Sequence, residues 1–160
     1  MPLMEKLRRF LDNNNAHYTH TVHSLAYTAR EVAAAEHLPA REVAKIVVIH
    51  VDNGYHMLVV PANKLVDFQE IREVLGFSHA RMVPETELSR LFPDCELGAM
   101  PPFGNLYDMP VYLDSGLAAE EMITFNAGTH RDVVHMHTAD FLKLVRPTLI
   151  SLAREAALWR

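Results

Sequence analysis

The sequence predicts a single α/β domain built on a curved, mixed, largely antiparallel sheet surrounded by helices. Three observations carry this reading. Val43 to Pro61 has the pattern of a β-hairpin, helical and strand-like segments alternate irregularly elsewhere, and 160 residues bury one continuous core without room for a second globular domain.

The elements follow in order. Met4 to Leu11 places Met4, Leu7, Phe10 and Leu11 at helical spacing, and His17 to His23 has the β-branched and aromatic content of a short strand. Thr28 followed by Glu31 is a capping-box pattern that opens a helix over Ala29 to Leu38, closed by Pro39. Val43 to Val51 and Tyr55 to Pro61 are the two arms of the hairpin, because β-branched residues dominate the first arm and Asp52-Asn53-Gly54 is a turn signal. Asp67 to Leu75 is an amphipathic helix stopped by Gly76; a strand over His79 to Val83 and a helix over Pro84 to Phe92 come next. Phe92 to Gly104 concentrates Pro93, Gly98, Pro101, Pro102 and Gly104 and is the one long loop. Val111 to Asp114, Met122 to Asn126 and Asp132 to His137 are strands, and Thr138 is placed to cap a helix over Ala139 to Val145. In the tail, Pro147 to Arg160, the helical spacing of Leu149, Leu152, Ala156 and Trp159 predicts a helix packed on the domain, with a dimer contact as the alternative, so monomer and homodimer both stay open.

Composition narrows the function classes. No run approaches the ~20 apolar residues that span a bilayer, and Met1 to Leu11 carries Glu5, Lys6, Arg8 and Arg9 without an apolar signal region, so a cytoplasmic protein without membrane contact is expected. Cys95 is the only cysteine, which excludes an internal disulfide and a multi-cysteine metal knuckle. Its neighbours Asp94 and Glu96 raise rather than lower a thiol pKa, so Cys95 is rejected as a nucleophile. A net charge of −5 argues against tracking a long polyphosphate backbone, but a local contact with one RNA end needs only a few cations, such as Lys45, Lys64 and Arg81.

Four groups of residues could carry chemistry. Lys45 interrupts an apolar strand: it is either a surface lysine whose stem covers apolar neighbours or a cation held at a cleft toward a phosphate or carboxylate. The stretch Gly98-Ala99-Met100-Pro101-Pro102-Phe103-Gly104 is either a simple connection or a stiff loop that brings backbone amides, such as those of Ala99 and Met100, close to a ligand. Asn126 to Asp132 reads as a strand end and turn, where Asn126, Gly128, His130 and Asp132 either cap the strand or face a cleft. His130, His135 and His137 lie close in sequence, but no HExxH or Cys/His framework accompanies them, so no metal and no cofactor is expected.

Taken together, Thr28-Ala29-Arg30-Glu31-Val32-Ala33, Val43-Ala44-Lys45, Val59-Val60-Pro61-Ala62, Gly98-x-x-x-Pro102 and Phe125-x-x-Gly128 occur in an ordered series. From Ala16 to about Arg146 the chain resembles the YbaK-like aminoacyl-tRNA deacylases, the module also found as the editing insertion of bacterial prolyl-tRNA synthetases. The resemblance implies a hydrolase that clears misacylated tRNA, with the 3′ end of an aminoacyl-tRNA as partner and a synthetase as a further one. It implies that Lys45 lies near the 3′-terminal nucleotide and that the loop from Gly98 through Ala99, Met100, Pro101 and Pro102 to Gly104 shapes the aminoacyl pocket. Tyr27 and His23 would line that pocket, and His130 or Asp132 would complete its polar wall beside Asn126 and Gly128. No side chain acts as a covalent nucleophile in this reading: the protein supplies proximity and electrostatics to a water or to the substrate's own groups. Two departures matter. Ile46 stands where a small hydroxyl residue is frequent, which argues against the cysteinyl-specific subgroup, and Pro101-Pro102 stiffens the loop, which favours a small amino acid.

Overall fold

The computed structural model describes residues 4–152. It has six α-helices and eight strands among those residues, arranged as two hydrogen-bonded sheets. The first sheet has the order β1-β7-β6 and is antiparallel: β1 (Tyr18–Val22) pairs with β7 (Asp132–His137), which pairs with β6 (Met122–Asn126). The second has the order β4-β2-β3-β5-β8 and is mixed. In it β2 (Ala44–Val51) is antiparallel to β3 (Gly54–Pro61) and to β4 (Ala80–Met82), whereas β5 (Val111–Asp114) is parallel to β3 and to β8 (Thr148–Ile150). A single parallel bridge from Val43 to Thr124 joins the two sheets, so the curved mixed sheet expected from sequence exists as two parts.

The hairpin keeps one register from Ala44↔Pro61 to Val51↔Gly54, with Gly54 taking the positive φ of 131° that the tight turn demands. Alternation along it divides the core. Val48, Met57 and Val59 point into the main core with Phe103, Phe125 and Phe141, while Ile49, Leu58 and Val60 point to the other face, against Ile71 and Ile150. The five-stranded sheet is thus covered on both faces, on the second by α3 (Phe68–Leu75), whose ends are fixed by Asp67 accepting from the amides of Gln69 and Glu70 and by Gly76 in the left-handed region. The helix α2 (Ala29–Ala35) lays Val32 and Ala33 against Val43 and Val133. Its capping box is present in full: Thr28 Oγ1 accepts from the Glu31 amide, and Glu31 accepts from the Thr28 amide. α1 (Glu5–Asn13) closes the main core with Leu7 and Leu11, and α4 (Glu85–Leu91) follows β4.

Two expectations are corrected, and one element is new. The tail does not continue as a helix from Pro147, because Thr148–Ile150 adds a parallel strand to β5 and the pairing with an existing sheet edge outweighs a helical spacing of apolar residues. Ile150 and Leu152 are buried there, whereas Ala156 and Trp159 lie outside the described residues. Thr138 does not cap the last helix: it is the first residue of α6 (Thr138–Val145), with buried Oγ1 unpaired, and the N-cap position falls on His137. A single turn, α5 (Ser115–Ala118), has no counterpart in the sequence reading and is capped by Asp114 accepting from the Gly116 amide. No helix of the described residues is long and apolar enough to cross a membrane.

His56 on β3 shows how this packing sets a charge state. It is buried between Phe77 and Tyr112, with ring centroids 5.1 and 5.5 Å away, and shares one hydrogen bond of 3.1 Å with Asn53 Oδ1 while Nδ1 has no partner. Burial lowers its pKa below the ordinary histidine value. The unfolded chain therefore gains the proton first as pH falls through about 6.5, and stability present above that pH is lost toward the lower folded pKa. The melting temperature of His56→Phe is expected to fall less than that of the parent between pH 7.5 and pH 5; equal slopes would show that His56 does not contribute to the acid sensitivity.

Candidate functional site

Where α2 begins, β2 begins and β6 ends, the chain leaves a cleft of about 210 Å³ lined by Tyr27, Thr28, Ala29, Ala44, Lys45, Ile46, Gly98 and Asn126. The wall has three origins. The capping box fixes Thr28 and Ala29, the hairpin register fixes Ala44 to Ile46, and the long loop delivers Gly98.

Lys45 is half-buried, and its ammonium donates to the carbonyl of Lys64. Burial, and after it the like charge of Arg30, lowers its pKa below the ordinary lysine value. Lys64 itself is not free for RNA. Its ammonium is 3.1 and 3.3 Å from the two oxygens of the fully buried Asp114 and donates to the carbonyl of Leu152 at 2.9 Å. Arg81 pairs with Glu87 at 3.5 Å on the distant β4. Of the three cations considered from sequence, Lys45 alone lines the cleft.

The loop is held to the 126–132 turn by a set of bonds centred on Glu96. Its amide donates to the Gly128 carbonyl at 2.7 Å, its carboxylate accepts from the His130 amide at 2.8 Å, and its carbonyl accepts from the Ala99 amide at 3.0 Å. That last bond corrects one expectation: the Ala99 amide is spent inside the loop and does not offer itself to a ligand. Met100 is likewise turned into the main core, Pro101 and Pro102 are buried, and only Gly98 of the loop reaches the cleft. Gly98 has φ +82°, and a Cβ there would sit 3.5 Å from His130 Cε1, an ordinary contact, so its backbone conformation rather than space calls for glycine. Gly104 is the reverse case: an added Cβ would come within 2.6 Å of Val111 Cγ2 and 2.7 Å of the Met109 carbonyl, which makes Gly104 a packing residue away from the cleft. At Gly128 both apply, since φ is +98° and a Cβ would meet Met4 Sδ at 2.8 Å.

The two polar candidates of the turn separate. His130 backs the cleft. Its ring packs on Tyr27 with centroids 4.9 Å apart, and Nε2 donates to the Leu97 carbonyl at 2.6 Å, which leaves Nδ1 as a buried acceptor without a partner. Asp132 is buried and fully engaged, with its carboxylate 2.6 Å from His20 Nε2 and accepting from Thr129 Oγ1 at 2.6 Å, so it braces the turn instead of facing a ligand. Asn126 lines the cleft, with Oδ1 buried and unpaired. His23 bonds the Ser24 carbonyl through Nδ1 and is not part of the lining.

Other candidate chemistries lose their footing. Burial pushes the Cys95 thiol up to about 11, so it stays protonated near neutral pH. His135 is bonded to Thr124 Oγ1 at 2.8 Å and Glu36 Oε1 at 2.9 Å under α2, apart from His130. Among the described residues no group of three or more His, Cys, Asp or Glu side chains is gathered to hold a metal ion. Sequence reasoning missed Glu96, which stands out in the sequence only as a neighbour of Cys95.

Comparison with known families gives one match. The model of the aminoacyl-tRNA editing domain matches residues 23–144. Among solved structures, one described as a candidate trans-editing enzyme for prolyl tRNA synthetase superposes with a TM-score of 0.82 at 20% identity, covering 98% of this chain and 99% of that one. A scaffold protein from computational epitope grafting gives 0.83 at 19% identity, with 99% of both chains covered. A protein from Marinobacter aquaeolei described as a candidate for signal transduction gives 0.76 at 18% identity, with 94% of this chain covering 31% of that one. At these identities the structural matches establish the fold alone. No protein in the curated set matches the sequence.

Proposed function

This chain belongs to the aminoacyl-tRNA editing domain family, and from that membership we propose that it is a cytoplasmic deacylase that removes a wrongly attached small amino acid from tRNA, acting in trans to a synthetase. The observation that carries the proposal is the cleft of about 210 Å³ in which Lys45, Gly98, Asn126 and Tyr27 meet. Lys45 holds the phosphate region of the terminal nucleotide, the Gly98 segment sets the terminal ribose and ester, and Tyr27 bounds the side-chain space. His130 supports that wall from behind. Water, positioned with the help of the substrate's own ribose hydroxyl, adds to the ester carbonyl carbon; the bond from that carbon to the ribose oxygen breaks, and the ribose oxygen takes up the proton that the water gives up. The protein contributes position and a cation in a partly dry site, where both have most effect.

A second reading keeps the fold but drops the turnover. It is favoured by the lining itself, which offers no carboxylate, imidazole or thiol. In that case the cleft binds the end of a tRNA without hydrolysing it.

The deciding measurement is deacylation of alanyl, seryl, threonyl, cysteinyl and prolyl esters, each on proline tRNA and on its own tRNA. One small misacylated ester is expected to be lost, with Lys45→Ala slower by at least about tenfold because a charge-assisted contact to phosphate is removed. Gly98→Ala, forced into a positive φ, is expected to lose about 1 kcal/mol of stability and part of the activity. A panel that stays flat while tRNA still binds would establish the non-catalytic reading.

A further inference from the structure

The geometry points to a second, separate pocket at the far end of the hairpin, in which Arg72 and Arg81 with His50 and His79 hold the sugar–phosphate backbone of the tRNA several nucleotides from its 3′ end. The choice of tRNA as the occupant rests on the reading that a tRNA 3′ end enters the cleft.

The pocket has a volume of about 420 Å³ and lies where β2 ends and β4 forms the sheet edge, with His50, Arg72, His79 and Arg81 in its wall. His50 and Arg81 are direct cross-strand partners, so their side chains leave the sheet on one face. Arg81 is 3.5 Å from Glu87, but that carboxylate also accepts from Tyr55 Oη at 2.7 Å, and the arginine side chain is half exposed. Arg72, on α3, is exposed and forms no ion pair among the described residues. The one carboxylate of the wall, Asp52, is tied to the backbone: its two oxygens accept from the amides of Ser78 at 2.8 Å and His79 at 2.7 Å. In a chain whose net charge is −5, this gathering of basic side chains is a local exception.

Only Val51 and Ala80 make the wall apolar. Sites for small molecules enclose their ligands in mostly apolar walls. An exposed wall of arginines and imidazoles suits a phosphate backbone instead, since guanidinium forks and ring N–H groups engage the non-bridging oxygens and counterions are released. The placement suits the same RNA strand. Lys45 and Val51 lie six residues apart on one face of β2, the face on which Ile49 packs against Ile71, the residue before Arg72. The two sites are thus about 20 Å apart along the strand, beyond the reach of the terminal nucleotide and within that of the chain that continues from it.

The test compares Arg72→Gln with the parent chain on two substrates, the misacylated tRNA turned over best and the same amino acid esterified to adenosine, which has no phosphate. The pocket predicts that kcat/KM on the tRNA, relative to that on the adenosine ester, falls about five- to tenfold through KM, with a salt slope shallower by about 1. Arg72→Glu is expected to lose more, and Arg72→Lys to recover part of the loss. Arg9→Gln removes the same charge from α1 and is expected to leave the ratio within about twofold. An unchanged ratio for Arg72→Gln, or an equal fall for Arg9→Gln, overturns the proposal, the latter because net charge alone would then account for the effect. If the parent chain hydrolyses neither ester, the deacylase reading has failed, and the pocket is judged by binding of uncharged tRNA. There a weaker affinity and shallower salt slope for Arg72→Gln support it, and equal affinity overturns it. Binding of inorganic phosphate that depends on Arg72 while tRNA affinity does not would assign the pocket to a free phosphate and overturn the RNA occupant.

Discussion

Asp114→Ala is expected to lower the unfolding free energy by about 3–5 kcal/mol, the usual cost of breaking a buried pair from one side. Asp114 is fully buried and serves three donors: Lys64 Nζ with both oxygens, the Gly116 amide at 3.0 Å and the Leu152 amide at 3.2 Å. Truncation leaves the Lys64 ammonium without its anion, uncaps α5 and frees the segment after β8. Asp114→Asn keeps the shape and some of the bonds, so its loss should be smaller. Urea denaturation measures both as a shift in midpoint, and an unchanged m-value identifies the change as one of stability. A loss below about 1 kcal/mol for Asp114→Ala would mean that the pair does not fasten β8. Because the Lys64 carbonyl is the acceptor for Lys45, the same variant should also disturb the cleft.

Phe103→Ala is expected to cost a similar amount, about 3–5 kcal/mol, through lost burial and the cavity left behind. The ring is completely buried and meets Phe10, Phe125 and Phe141 with centroids 5.9, 5.4 and 5.4 Å away. Set against the 5–15 kcal/mol that holds an ordinary domain together, this leaves little margin. The position also matters for the site, because Phe103 anchors the far end of the loop that carries Gly98. The proposed deacylation is therefore expected to fall at temperatures where circular dichroism still reports a folded chain. Activity that tracks only the folded fraction would show that Phe103 anchors the core but not the loop.

The parts of the fold legible in sequence are those whose causes are local. Asp52-Asn53-Gly54 closes the hairpin, Asp67 and Gly76 bracket α3, and Thr28 with Glu31 opens α2, each through bonds reaching no more than a few residues. β8 was misread because its cause is distant: a three-residue strand takes its conformation from β5, while Leu149 and Leu152 imitate a helical stripe. The site divides the same way. Lys45, Gly98 and Asn126 lie within the ordered motifs, Tyr27 directly precedes the first of them, and the four meet at the cleft. Ala99, Met100, Pro101, Pro102 and Gly104 belong to the same motif, but the loop turns them inward, and no pattern in a single chain distinguishes a loop residue facing a ligand from one facing the core. The choice between His130 and Asp132 likewise depended on His20, which supplies the partner for Asp132 from 112 positions away.

That last pairing constrains the order in which the molecule can be assembled. β1 hydrogen-bonds to β7 along its whole length, from Tyr18↔Met136 to Val22↔Asp132, so the first strand waits for the seventh before it has a neighbour. Tyr27 follows the one, and Asn126 and His130 precede the other. On a ribosome, the hairpin and α3 can form while later segments are still being made, but the wall of the cleft cannot close until β7 has emerged. Non-local pairing of this kind is paid in loop entropy before it is rewarded and slows folding. The cleft should therefore be among the last features to appear during refolding, and the first to be lost when β1 detaches.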